Sequence, residues 1–169
     1  MMINPRHFNS ASRHGQRGIA AVEFAIVALA TLTILFASME MARMMFTFNT
    51  LAEVTRRGAR IASICQVDDP EINRLAIFNT SGGSVSPILK KLSTANVKVE
   101  YLDENGAVLA STAGNAYYEI RYVRVRIANY QHNLIIPGMS VSVMAPGYPT
   151  TVPRESLGVP REGQLSNCV

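Results

Sequence analysis

The sequence predicts an α+β fold: a long N-terminal helix, transmembrane in its first half and amphipathic in its second, packed on a small antiparallel sheet. Three observations carry this. Ile19 to Met39 is a run of 21 residues interrupted by one charge, Glu23. Apolar and small residues then recur at spacings of three and four from Met41 to Ala62, the period of one helix face. Further on, Val123, Val125 and Ile127 alternate with Arg124 and Arg126, the period of a strand with one buried face.

The elements follow in chain order. Residues 1–18, MMINPRHFNSASRHGQRG, hold Arg6, Arg13 and Arg17, no acid and no apolar periodicity. They read as an irregular basic leader. As a helix, Ile19–Met39 rises about 31 Å, enough to cross a hydrocarbon core. Ala25, Ala28, Ala30 and Ala37 thin it, which lets other helices approach. The face Met41, Met45, Phe48, Ala52, Thr55, Ala59 and Ala62 carries the helix on to Ile64, about 69 Å from Ile19. Glu53 and Arg57 stand at a favourable i,i+4 spacing, while Gly58 weakens the helix by about 1 kcal/mol relative to alanine.

Asp69-Pro70 then pairs a capping residue with proline at the first helical position, predicting a short helix to Phe78. Asn79 to Ser84 forms a turn, and Ser86-Pro87 opens a second short helix through Leu92. NVKVEYL (96–102) and AVLAS (107–111) flank a turn-rich tetrad and read as a hairpin. YYEIRYVRVRIANY (117–130) is the strongest strand, with Ile120 and Tyr122 in the opposite phase from Val123 onward, as at a bulge or in a strand buried on both faces. MSVSVMA (139–145) alternates again. Four prolines from Pro146 to Pro160 argue against regular structure in the tail. The division expected is therefore a leader, 1–18; the long helix, 19–64, with its span at 19–39; an α+β domain, 65–145; and a Pro/Gly-rich tail, 146–169.

Composition narrows the function. The chain is 48% hydrophobic and 17% charged, with a formal net charge of +4. Without the three leader arginines the remainder is nearly neutral, and no clustered basic face suggests nucleic acid. Cys65 and Cys168 form no C-x-x-C pair, so metal ligation has no support. If the body is exported, a disulfide is the natural pairing; the alternative is two free thiols. His132 in NYQHNL stands outside any G-x-S-x-G, H-E-x-x-H or P-loop context. Neither a catalytic constellation nor a cofactor or small-molecule substrate is expected. The acidic group Asp68, Asp69 and Glu71 is better explained by helix capping than by calcium, since no EF-hand loop follows. Arg121, Arg124 and Arg126, and likewise Glu53, Arg57 and Arg60, read as solvated faces.

Glu23 stands out because an ionised carboxylate in hydrocarbon costs a few kcal/mol even on the gentler insertion scales. Arg17-Gly18 followed by IAAVEF places a glycine before the apolar run and a glutamate at its fifth position. This resembles a type IV prepilin processing site, which implies cleavage by a prepilin peptidase between Gly18 and Ile19. The new ammonium at Ile19 would lie about 6 Å from Glu23 along the helix. In an assembly the ammonium of one subunit can neutralise the glutamate of another, turning a costly charge into a register device with Phe24 beside it. The two competing readings are an ordinary signal peptide cut near Ala28-Leu29-Ala30 and an uncleaved anchor with Glu23 at the interface.

Together, RGIAAVEFAIVALATL and LAEVTRRGARIAS (51–63) resemble the TadE-like minor pseudopilins of the tight-adherence (Flp) pilus machinery. Arg57-Gly58-Ala59-Arg60 matches the family's Arg-Glu-Gly-Ala-Arg type of segment, with Arg56-Arg57 in place of the usual Arg-Glu pair. VRVRIANYQHNLIIPG and the closing VPRESLG are similar more loosely. The resemblance implies a pilin-like fold and pilus assembly rather than catalysis. It implies a prepilin peptidase, other Tad/Flp pilins and pseudopilins, the inner-membrane assembly platform and the lipid bilayer as partners. It also implies a single pass through the bacterial inner membrane, with a cytoplasmic N-terminus and a periplasmic body. Basic residues flank both ends of the span, so the charge bias alone orients it weakly. The alternative function is an unprocessed, membrane-anchored periplasmic scaffold or binding domain.

Overall fold

The computed structural model describes residues 14–136, 139–159 and 168. The predicted leader up to residue 13 and the tail from 160 to 167 lie outside the described residues. Contacts divide the chain into two units, Met1–Met41 and Ala42–Val169.

Helix α1 runs from His14 to Ile64. Where the sequence predicts irregular backbone up to Gly18, the helix has already begun at His14. Gln16 and Arg17 are good helix formers that extend an existing helix at no nucleation cost. In the first unit the large apolar side chains, among them Ile19, Val22, Phe24, Ile26 and Leu29, are exposed. The stretch is long and apolar enough to cross a membrane, and none of its apolar window is buried within the chain. A helix that is apolar all round needs a surrounding solvent that is not water.

The second unit is an α+β body. The second half of α1 packs here with helix α2 (Pro70–Ala76), strand β1 (Val97–Leu102), the short helix α3 (Ala116–Glu119) and strands β2 (Tyr122–Ile127), β3 (Gln131–Ile136), β4 (Met139–Met144) and β5 (Thr150–Pro153). There are two sheets: three antiparallel strands in the order β1-β2-β5, and a separate β3-β4 ribbon. The predicted long helix on small antiparallel sheets is what the structure shows, consistent with a pilin-like fold. On α1 the buried positions include Thr47, Leu51, Val54, Thr55, Ala59 and Ala62. Phe48 is half-buried, whereas Met41 and Met45 are each 52% exposed. The periodicity thus found the right stripe from Phe48 onward. The larger anchors, Leu51 and Val54, lie on its flank.

In the three-stranded sheet, Val123, Val125 and Ile127 turn inward and meet Val97, Tyr101, Ile72 and Leu92 in one core. The outer face pairs Glu100 with Arg124 at 3.7 Å and Arg126 at 2.6 Å, so the arginine stripe is partly neutralised by its neighbouring strand. Ile120 falls out of phase because it ends α3 rather than sitting in a bulge. α2 starts as the sequence predicts, with the Asp69 carboxylate accepting the Glu71 N–H at 2.9 Å.

Three local expectations fail. Ser86 to Leu92 forms a closed loop rather than a helix. The Ser86 N–H donates to the Leu92 carbonyl at 2.8 Å, and a Val85–Ser93 bridge pins its ends. The 107–111 segment makes a single bridge, Leu102–Val108, instead of a strand, because Asp103 folds the turn onto itself by accepting the N–H groups of Asn105 and Ala107. The Pro-rich tail contains β5, whose register sets Val152 against Val123 and Thr150 against Val125. An edge strand accommodates proline, and Pro153 ends this one.

Candidate functional site

Two places in the chain concentrate sequence features beyond packing. The first is the start of the apolar helix. Gly18 and Ile19 are consecutive residues within α1, and Glu23 lies one turn beyond Ile19. Gly18, Ile19, Val22, Glu23 and Ile26 line one shallow groove along the helix, a stripe at three- and four-residue spacing with one carboxylate in it. Ile19 is 72% and Phe24 74% exposed; Phe24 is not among the residues lining that groove. The candidate processing pair and Glu23 are thus on one exposed stripe, available to another helix or to lipid.

The second is the C-terminal end of α1 in the body, which the tail closes. A helix leaves its last carbonyls without intrahelical donors. Here the Ser63 carbonyl accepts the N–H groups of Glu155 at 3.1 Å and Leu157 at 3.2 Å. The Ile64 carbonyl accepts the Gly158 N–H at 2.8 Å and the Ser156 hydroxyl at 3.0 Å. Leu157 is buried beneath this cap. Gly158, at φ +80°, lies so close to the chain at Gln66 that a β-carbon would stand 2.7 Å from its backbone. Next along, a disulfide joins Cys65 to Cys168 with α-carbons 5.5 Å apart. Just before the cap, Arg154 donates to the carbonyls of Tyr117 and Ile120 and stacks 5.6 Å over the Tyr117 ring. Composition concealed this strap. The sequence signals for it were the Cys65 and Cys168 pair and the Glu-Ser-Leu-Gly turn within VPRESLG.

The Arg57-Gly58 pair belongs to the same packing. Arg57 is not a solvated residue: its Nε donates to the Leu75 carbonyl at 3.0 Å, and its guanidinium sits 4.9 Å over the Phe78 ring. Gly58 lets α1 approach α2 and β2. A β-carbon there would meet the Ala76 Cβ at 3.1 Å and a Val125 methyl at 3.2 Å. Glu53 and Arg60 are exposed as expected, and Glu53 approaches Arg56 at 3.8 Å rather than Arg57. Near the loop after α1, the Tyr101 hydroxyl accepts the Asp68 N–H at 3.1 Å. Burial pushes this phenol up to about 12, with the charges of Asp68 and Asp69 adding in the same direction. The Asp68 N–H bond opposes the shift. His132 is buried on β3 with its ring edge-on to Phe48, a packing position. Among the described residues, no group of three His, Cys, Asp or Glu side chains could hold a metal ion.

Neither curated proteins nor solved structures give a match to the chain. The family model described as TadE-like protein matches residues 18–60. That match begins at the glycine before the apolar run, takes in Glu23, and ends at the Arg57-Gly58-Ala59-Arg60 segment that packs into the body. The chain thus carries a TadE-like segment over residues 18–60.

Proposed function

We propose that this chain is a minor pseudopilin of a Flp/Tad-type pilus assembly system at the bacterial inner membrane, processed by a prepilin peptidase after Gly18. One observation carries the reading: Glu23 interrupts an otherwise apolar exposed stripe one turn after Ile19, inside the segment that matches the TadE-like family. A carboxylate at that depth is tolerable if each subunit supplies a neighbour with a compensating ammonium, and cleavage at Gly18 creates that ammonium. The chain then acts by assembly rather than catalysis. Its apolar helix holds it in the bilayer, Ile19 and Glu23 set axial register, and Phe24 packs beside them. The periplasmic body meets other Tad/Flp pilins and the inner-membrane platform. Cofactor, nucleic acid and small-molecule substrate have no part in this mechanism.

The test is the N-terminal sequence of the protein recovered from its native membrane, with and without the peptidase. A chain starting at Ile19 only when the peptidase is present is the expected result. An intact leader in both would instead make the protein an uncleaved anchored scaffold. A start well inside the apolar run would make it a secreted domain with an ordinary signal peptide.

A further inference from the structure

We propose that the Cys65–Cys168 bond is a thiol–disulfide exchange site of fixed polarity, in which a small, positively charged thiol attacks Cys168 and Cys65 is the leaving group. Exposure does not separate the two residues, since Cys65 is 7% and Cys168 8% exposed. Their surroundings do. A cavity of about 800 Å³ is lined by Cys168, by Asp68, Asp69 and Glu71 where α2 begins, and by Arg74, among others. Cys65 is not part of its lining. The strap brackets Cys65 instead, bonding to the carbonyls of Ser63 and Ile64 on one side and setting Gly158 against Gln66 on the other. Cys168 is held at the cavity by its own N–H, which donates to Asp69 Oδ2 at 3.2 Å. The other oxygen of that carboxylate accepts the Glu71 N–H. A small thiolate in the cavity thus meets Cys168 first, while the strap stands around Cys65.

The exchange balances without a further reagent. The incoming thiolate bonds to Cys168 Sγ, the bond between the cysteines breaks, and its electron pair leaves on Cys65 Sγ, which takes a proton from water. A second thiolate then attacks the mixed disulfide, releasing Cys168 as a thiolate and carrying the oxidising equivalents away as a small disulfide. Charge sets the class of thiol. Arg74 is paired with Glu71, so the carboxylates of Asp68 and Asp69 are the net charge of the described lining. A thiol bearing an ammonium is attracted to them and one bearing a sulfonate is repelled, to an extent that salt reduces. The proposal is independent of membrane crossing, processing and pilus assembly.

The test uses the oxidised full chain in a neutral detergent. Cysteamine and 2-mercaptoethanesulfonate are each added, exchange is stopped early by alkylation, and the adducts are located by mass spectrometry of tryptic peptides. Rates are divided by those of each thiol on a neutral model disulfide, which removes differences in intrinsic reactivity. The expected product carries cysteamine on Cys168 and the alkyl group on Cys65. Cysteamine reacts about tenfold faster than the sulfonate thiol at low ionic strength, and the preference shrinks as salt is added. Asp68→Asn keeps a residue type that tolerates the left-handed backbone at φ 60° and lowers the preference to about threefold. In urea the adducts divide between both cysteines, so the native split reports the fold. Adducts mainly on Cys65, or a native split equal to that in urea, overturn the polarity. Equal rates for the two thiols, or a preference unmoved by salt and by Asp68→Asn, overturn the charge selection. Failure of both thiols to react without urea overturns the site itself, as does alkylation of both cysteines before any thiol is added.

Discussion

Glu23 and Tyr101 are single side chains whose protonation matters in different ways. Under the pseudopilin reading, Glu23→Gln keeps membrane insertion and abolishes assembly. The checks are carbonate extraction of membranes and a piliation count; normal piliation would sink the register role. Tyr101 makes a prediction about pH. Its hydroxyl ionises at about 12 in the folded chain and near 10 when unfolded, so the folded state holds the proton longer. The stability this contributes is fully present below about pH 10 and lost as pH rises toward 12, because the unfolded chain sheds its proton first. Tyrosinate absorbance should therefore show one late phenol whose ionisation coincides with unfolding, with Tyr130 and Tyr148 raised by burial as well. Tyr101→Phe leaves the Asp68 N–H without its acceptor and should cost about 1 kcal/mol, read from urea denaturation. Arg57 shows why a residue's role is hard to read from spacing. Its partners, the Leu75 carbonyl and the Phe78 ring, come from α2, and no helical wheel contains them.

Among the elements, α1 and β2 were legible because each carries its own period. Val123, Val125 and Ile127 alternate without a break, and the apolar run of α1 is long enough to cross a membrane. β3 was not distinguished as a separate strand, since Leu134, Ile135 and Ile136 run together without alternation and two of them are exposed. Gly58 looked like a weak point of the helix, yet the structure makes it a contact point. Gly58→Val forces side-chain volume into Ala76 and Val125 and should destabilise the body by about 1–3 kcal/mol. Stability unchanged, or raised by roughly the few tenths of a kcal/mol by which valine exceeds glycine in helix propensity, would show that the neighbours yield. At the other end of the chain, Gly158→Ala meets backbone rather than a flexible side chain. It should open the cap on α1, seen as faster amide exchange at Leu157 and Gly158.

The body as a whole is closed by contacts between distant parts of the sequence, which local patterns do not record. The tail reads as irregular because proline and glycine fill it, yet it supplies an edge strand, the α1 cap and one half of a disulfide. Cys65 and Cys168 are 103 residues apart, a loop whose closure the chain-entropy model values at up to about 4.7 kcal/mol. Replacing both cysteines by alanine should lower unfolding stability by about 2–5 kcal/mol, measured by chemical denaturation of the full chain in detergent. A smaller effect would mean that the hydrogen bonds of the strap hold the tail unaided.

The strap also sets a sequence of events in time. The carbonyls of Ser63 and Ile64 find their partners 92 to 94 residues downstream, which a ribosome reaches roughly 5–20 s later at ordinary elongation rates. For that interval the oldest helix in the nascent protein has an unfinished end and a free thiol at Cys65. Closure of the body therefore follows synthesis of its tail. It waits for Ser156, Leu157 and Gly158 to dock and for an oxidant to join the two cysteines.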